Sequence, residues 1–147
     1  MRKIDSIILH CSATEEGKNF KASDIDRWHR AQGWNGIGYH YVVDIDGTVE
    51  KGRDIEKAGA HCSGHNAHSI GLVYIGGLRA GKAADTRTAE QKESLYIKVY
   101  ELLKKYSLLE VAVHCHNEYS SKACPCFKIE TFMKEFKEWK DRNDISD

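Results

Sequence analysis

The chain has 147 residues, the size of one ordinary domain, and folding at this length buries about two-thirds of the unfolded surface. Its 22 basic and 22 acidic residues balance, so the charge argues against a nucleic-acid-binding surface. No apolar run is long enough for a signal peptide or a membrane span, so we expect synthesis in the cytoplasm and no membrane insertion. We expect one monomeric domain over residues 1–147.

Cysteine and histidine give the second signal in the composition. Without a signal peptide, the five cysteines favour reduced thiols or metal ligands over a disulfide framework. Eight histidines is a high number for this length, and several lie close to cysteines in the sequence.

The first predicted elements are a strand and a helix. Residues 4–10 are mostly apolar and bounded by polar residues, which predicts a buried strand that ends at His10. Functional side chains emerge at such strand ends, although a hydrogen-bonded core histidine is an equally good interpretation. Ser23 then predicts the N-cap of a helix over residues 24–33, which has acids in its first turn and a glycine at its end.

A β-hairpin follows. Asp46 and Gly47 form a strong turn signal between the strand-forming segments 39–44 and 48–51. The alternation of side chains in a strand places Tyr39 on the same face as Tyr41.

The middle of the chain combines loops with one more strand. Residues 59–68 are small, polar and rich in histidine, which predicts a surface loop near a site. Residues 69–77 have the pattern of a buried strand, and residues 79–87 that of a polar, mobile loop.

The last elements complete an α/β pattern. Thr88 predicts the cap of a helix over residues 89–106, and residues 128–141 predict an amphipathic helix. Between them, residues 111–113 predict a short buried strand. The fold class that follows is α/β, with a central mixed β-sheet packed by helices.

Ligand-type side chains concentrate directly after the strand at residues 111–113. Alternation directs His114 and His116 to one face of the sheet and Cys115 to the other. Imidazole nitrogens are good zinc ligands, but a lone histidine or cysteine more often serves packing.

A second ligand-type side chain follows in a defined turn. Pro125 fixes the backbone beside Cys124, and Lys122 adds a positive charge to the same segment. If the strand ends meet, His10, His116 and Cys124 converge as three ligands and leave a fourth position open, as in hydrolytic zinc sites. The pattern then predicts a zinc hydrolase.

Five short segments carry a resemblance to a known family: 10–14 (HCSAT), 33–41 (GWNGIGYHY), 46–48 (DGT), 52–53 (GR) and 122–125 (KACP). In order and spacing they are similar to the type 2 zinc-dependent N-acetylmuramoyl-L-alanine amidases, in the phage lysozyme branch, over nearly the whole chain. This fold is also that of animal peptidoglycan recognition proteins. The resemblance implies one Zn²⁺ per chain and cleavage of the amide bond between N-acetylmuramic acid and L-alanine in peptidoglycan or muropeptides.

The resemblance also implies residue roles. The zinc ligands fall on His10, His116 and Cys124, and the catalytic residues on Tyr39 and Lys122. Lys122 is expected to stabilise the oxyanion, and Tyr39 to donate a hydrogen bond or help move a proton.

Other residues near these motifs fall outside the ligand set. His61 is expected to bind substrate or support the site, with a solvated histidine as the alternative, and His114 is a neighbour of the site. Cys115 stands where relatives often have a small residue, and Ser120 and Ser121 where a proline is common. We expect the cysteines other than Cys124 to serve packing.

Three settings fit these expectations. The first is a phage or prophage endolysin that acts on the cell wall after release, and the second is an enzyme that recycles cytoplasmic muropeptides. The third is a non-catalytic peptidoglycan receptor, but such relatives typically lack the ligand cysteine, which is present here as Cys124. A zinc-stabilised interaction protein or a polymerase regulator has no specific support in the sequence beyond the fold.

Overall fold

The computed structural model describes residues 2–146, so residues 1 and 147 of the predicted domain lie outside the described range. The strands in chain order are β1 (Ser6–Cys11), β2 (Thr14–Glu15), β3 (Tyr41–Val43), β4 (Val49–Lys51), β5 (Ser69–Tyr74), β6 (Gly77–Arg79), β7 (Lys82–Ala83) and β8 (Val113–Cys115). The α-helices are α1 (Ala22–Ala31), α2 (Ala89–Lys105) and α3 (Ile129–Arg142). None of these helices has the length and apolar character needed to cross a membrane.

The main sheet has five strands in the order β4-β3-β5-β1-β8. Only β4 is antiparallel to its neighbour, and β1 pairs in parallel with both β5 and β8. The predicted mixed sheet packed by helices is therefore confirmed. Because parallel strands end at the same edge, the residues that follow β1 and β8 come close together.

The two faces of the sheet carry separate apolar cores. Leu9 and Leu72 pack in a core with residues of α2 and α3, whereas Val42 and Val73 pack in a second core with Ile25 of α1. Because Leu9 and Cys11 face the α2 and α3 core, alternation along β1 directs the side chain of His10 toward the α1 face.

The predicted hairpin and the two later helices match the structure closely. The helix α1, however, begins two residues earlier than predicted, and its N-cap is Lys21 and not Ser23. The reason is that the carboxylate of Asp24 accepts a hydrogen bond from the backbone N–H of Lys21 at 2.8 Å, which satisfies a free donor of the first turn.

The strand predicted at residues 111–113 is also shifted. Glu110–Ala112 is a 3-10 turn and Val111 is 78% exposed, so the strand starts only at Val113. The register explains the shift, because Val113 is the first residue that pairs with β1, opposite Ile7.

The segment 79–87, predicted as a polar, mobile loop, contains regular secondary structure. It contains the end of β6 and all of β7, and it closes on the buried side chain of Arg87. This guanidinium binds Asp85 at 2.8 Å and Glu135 of α3 at 2.9 Å, and it stacks 3.9 Å from the ring centroid of Phe127. The segment is thus fastened to the last helix by an ion-pair network.

Replacing Arg87 by methionine should lower the free energy of unfolding by roughly 3 kcal/mol, because it leaves two partly buried carboxylates without their shared partner. Chemical denaturation at neutral pH measures this loss. Arg79→Met is the matched control, since Arg79 pairs with Glu16 on the surface and little change is expected there. Equal losses in both variants would contradict a special role for the buried network.

Candidate metal centre and cleft

Three ligand-type side chains meet near the ends of β1 and β8. His10 lies in β1, His116 opens a 3-10 turn directly after β8, and Cys124 lies in the loop before α3. Their ligand atoms are all within 4.8 Å of one another. Within residues 2–146, no other group of three or more such side chains is close enough to hold a metal ion.

The thiol of Cys124 is held by β1. Its Sγ lies 3.9 Å from Nδ1 of His10 and accepts a hydrogen bond from the backbone N–H of Cys11 at 3.1 Å. Hydrogen bonds from the thiol and the backbone of Cys11 lower the pKa of Cys124, against the opposing effect of burial. The environment therefore favours the thiolate, which is the form that binds metals.

The imidazole of His116 carries an unsatisfied nitrogen. Its Nδ1 is buried and has no hydrogen-bond partner among the described residues. Burial, followed by the charge of Lys122, lowers the pKa of His116, so the ring is neutral at neutral pH. A buried polar atom without a partner is costly, and a metal ion next to His10 and Cys124 would give it one. Two neutral imidazoles and a thiolate fit a zinc ion that keeps one open position.

His61 is not the solvated histidine that was the alternative interpretation, since both it and Cys62 are buried. The ring of His61 lies edge-on to that of His10, and Nδ1 of His61 is 2.8 Å from Nε2 of His10. Burial lowers the pKa of His61 to about 3, and it also lowers the pKa of His10, so both rings are neutral. The loop of residues 59–68 therefore helps to build the centre.

Tyr39 lies on the other face of the sheet from the one predicted. It precedes β3, which starts at Tyr41, so strand alternation does not apply to it. Tyr39 packs with the α1 core, and its ring centroid is 5.0 Å from that of His10. Burial raises the pKa of the Tyr39 hydroxyl, which is therefore protonated at neutral pH and available as a hydrogen-bond donor.

His114, by contrast, is not part of the ligand group. Its Nδ1 lies 3.1 Å from the carboxylate of Glu118, one turn further along. The neighbouring side chain of Cys115 points into the core formed with α2 and α3, in agreement with the predicted alternation.

An open cleft of about 540 Å³ gives access to the centre. Its lining residues are His29, Trp34, Tyr39, Ala60, His61, Cys62, Ser63, Asn66, His116, Tyr119, Ser120 and Lys122. The aromatic side chains of Trp34 and Tyr119 are 40% and 39% exposed, so both offer apolar surface to a bound molecule. Lys122 is exposed and lines the same cleft as Tyr39 and His116.

The aromatic lining of this cleft is not predicted by the sequence motifs. Trp34 lies in a glycine-rich turn, where it rests on the ring of His29 at a centroid distance of 4.5 Å, and Tyr119 stacks on His65 at 3.8 Å. A large aromatic side chain within a polar turn is the one local signal that could have indicated a binding surface.

Comparison with known proteins agrees with this geometry. The family model described as N-acetylmuramoyl-L-alanine amidase matches residues 1–127. The endolysin of Escherichia phage T7 is 38% identical over 142 residues, which are 96% of this chain and 88% of the phage protein. The solved N-acetylmuramoyl-L-alanine amidase LysC of Clostridium intestinale superposes with a TM-score of 0.76 at 25% identity, covering 99% of this chain and 88% of LysC. Bumblebee PGRP-SA superposes with a TM-score of 0.71 at 26% identity, covering 85% and 77% of the two chains.

Proposed function

The chain belongs to the N-acetylmuramoyl-L-alanine amidase family and is a peptidoglycan amidase, and from this premise we propose that His10, His116 and Cys124 hold one zinc ion for the reaction. The observation that carries the proposal is the buried Nδ1 of His116, which has no hydrogen-bond partner within residues 2–146 and lies beside the potential ligand atoms of His10 and Cys124. When bound, zinc polarises a carbonyl oxygen and lowers the pKa of a water molecule from about 15.7 toward about 7.

The catalytic roles of Tyr39 and Lys122 are part of the proposal. Hydrolysis of an amide passes through a tetrahedral species in which negative charge develops on the carbonyl oxygen. The ammonium group of Lys122 stabilises this charge, and the protonated hydroxyl of Tyr39 donates a hydrogen bond within the same cleft. The exposure of Lys122 leaves its side chain free to adjust to the substrate.

The walls of the cleft suit the substrate of such an amidase. A muropeptide presents a sugar ring and a short peptide, and the exposed faces of Trp34 and Tyr119 give these groups apolar surface on which to pack. We place the N-acetylmuramic acid–L-alanine junction at the metal centre, between these aromatic side chains and Lys122.

The relatives support a biological setting for this activity. Proteins named endolysin are among those that match the chain over nearly its full length. We propose that this protein likewise acts, as a monomer, on the cell wall after its release from the cytoplasm. Recycling of cytoplasmic muropeptides is the alternative for the same chemistry.

Digestion of purified cell wall should release free N-terminal L-alanine without new reducing ends. No acidic side chain is among the described residues that line the cleft, whereas glycosidic bonds require a pair of carboxylates. Labelling of new amino groups and an assay for reducing sugars measure the two products. A zinc chelator should stop the release of new amino groups. New reducing ends without new amino groups would contradict the proposal. If fully zinc-loaded protein released neither product, the result would favour a non-catalytic receptor.

A further inference from the structure

A chain of hydrogen bonds runs from the proposed ligand His10 to the backbone of the loop at residues 59–68. Nε2 of His10 lies 2.8 Å from Nδ1 of His61, and Nε2 of His61 lies 3.2 Å from the hydroxyl of Ser69. The hydroxyl of Ser69 in turn lies 2.6 Å from the carbonyl oxygen of His65. All three side chains in this series are buried, at 1% exposure for His10, 9% for His61 and 0% for Ser69.

The carbonyl oxygen of His65, at the end of this series, determines which atom donates in each hydrogen bond. A carbonyl oxygen only accepts, so Ser69 donates its single hydroxyl proton to His65. The hydroxyl oxygen then accepts from Nε2–H of His61, which leaves Nδ1 of this neutral ring as an acceptor. Nδ1 of His61 accepts in its turn from Nε2–H of His10.

We infer that His61 and Ser69 fix the tautomer of His10, so that its Nδ1 is free of hydrogen and directed at the metal, and that His61 is a positioning residue for this ligand. The inference rests on the proposed role of His10 as a zinc ligand. Nδ1 is also the nitrogen of His10 that faces Cys124, 3.9 Å from its Sγ. With hydrogen on Nε2 of His10, the lone pair of its Nδ1 therefore lies on the side of the other proposed ligands.

The position of the His61 ring is fixed by the backbone around it. A Cβ atom added to Gly71 would lie 2.6 Å from Cδ2 of His61, and one added to Gly59 would also overlap this ring. The side chain of Asn66 accepts a hydrogen bond from the backbone N–H of His61 at 3.0 Å. The imidazole therefore occupies space that glycines leave open, and both of its nitrogens have internal partners.

This arrangement decides between the two roles expected for His61. A residue whose ring nitrogens are both engaged has none left to recognise a substrate, although its side chain forms part of the cleft wall. Partners of this kind hold a ligating histidine in the correct orientation, and their loss typically reduces metal affinity about 10- to 100-fold.

The first test uses the metal-free wild-type protein. Nitrogen-15 NMR of the His10 ring at neutral pH distinguishes the two neutral tautomers, and we expect hydrogen on Nε2 and none on Nδ1. Hydrogen on Nδ1 of His10 would overturn the inference. This measurement requires no variant and no bound zinc.

The second test measures zinc affinity by competition with a chromophoric chelator. His61→Leu, which removes the acceptor, should weaken zinc binding about 10- to 100-fold. His61→Asn should restore most of the affinity, because its Oδ1 can accept from His10 in place of the imidazole Nδ1. Ser69→Ala should have a smaller effect than His61→Leu, since His61 itself remains. His68→Leu changes an exposed histidine of the same loop and should bind as the wild type does.

The outcomes separate this inference from the proposed ligand set. Wild-type zinc affinity in His61→Leu would overturn the role of His61 while leaving the ligands in place. Unchanged zinc content in His10→Ala would instead overturn the ligand set. The inference that His61 and Ser69 position His10 for the metal would then fail with it.

Discussion

His10→Ala protein should purify with almost no zinc and without amidase activity, whereas the wild type should carry about one ion per chain. The change removes one of the three proposed ligand atoms, and two ligands alone are not expected to hold the ion. His116→Ala and Cys124→Ala should give the same result. Elemental analysis together with a cell-wall digest measures both effects.

His114→Ala is the matched control for these ligand variants. His114 lies two residues from His116 but pairs with Glu118 and lies outside the ligand group, so zinc content and activity should persist. Stoichiometric zinc in His10→Ala would show that the ligand set is wrong, and a loss of zinc in His114→Ala would identify the missing ligand. Because metal binding stabilises the folded chain, the ligand variants should also unfold at lower temperature.

Tyr39→Phe and Lys122→Ala should each keep zinc but lower turnover by roughly 100-fold or more, which is the scale of losing one oxyanion donor or proton-transfer group. Tyr39→Phe removes only a hydroxyl from a ring that stays packed near His10. Lys122→Ala removes a charge that faces the cleft. Steady-state kinetics on a soluble muropeptide separates kcat from KM, and zinc analysis on the same samples shows that the metal is retained.

Tyr119→Phe provides the comparison for the tyrosine variant. Tyr119 also lines the cleft and carries a hydroxyl, but it stacks on His65 at the outer part of the loop, so its hydroxyl is not expected to take part in the reaction. Near-normal turnover in both Tyr39→Phe and Lys122→Ala would mean that the metal and its water suffice and that the proposed roles are wrong.

The parts of the fold that follow from local pattern were predictable. The apolar runs of β1 and β5, and the helix α2 with its Thr88 cap, follow from hydrophobic spacing and cap chemistry. The closeness of residues near the ends of β1 and β8 also follows, because neighbouring parallel strands share one edge of a sheet.

What the sequence could not reveal depends on contacts between distant segments. The pairing of His10 with His61 spans 51 positions, and no local pattern predicts that Gly59 and Gly71 leave room for the ring. The local sequence around Arg87 predicts a mobile loop, because the partner Glu135 that binds this side chain lies 48 positions away on α3. The face of the sheet on which Tyr39 lies depends on the residue at which β3 begins, and the sequence pattern does not define this boundary to within one residue.

The pairing of β1 with β8 has a consequence for protein synthesis. His10 lies in the first strand to leave the ribosome, whereas Cys124 is made 114 positions later. In addition, β1 cannot pair with β8 until residues 113–115 have emerged. Chains that end before residue 124 therefore contain His10 without the complete set of proposed zinc ligands. Zinc-dependent activity is therefore expected only after residue 124 has been made and has folded against β1.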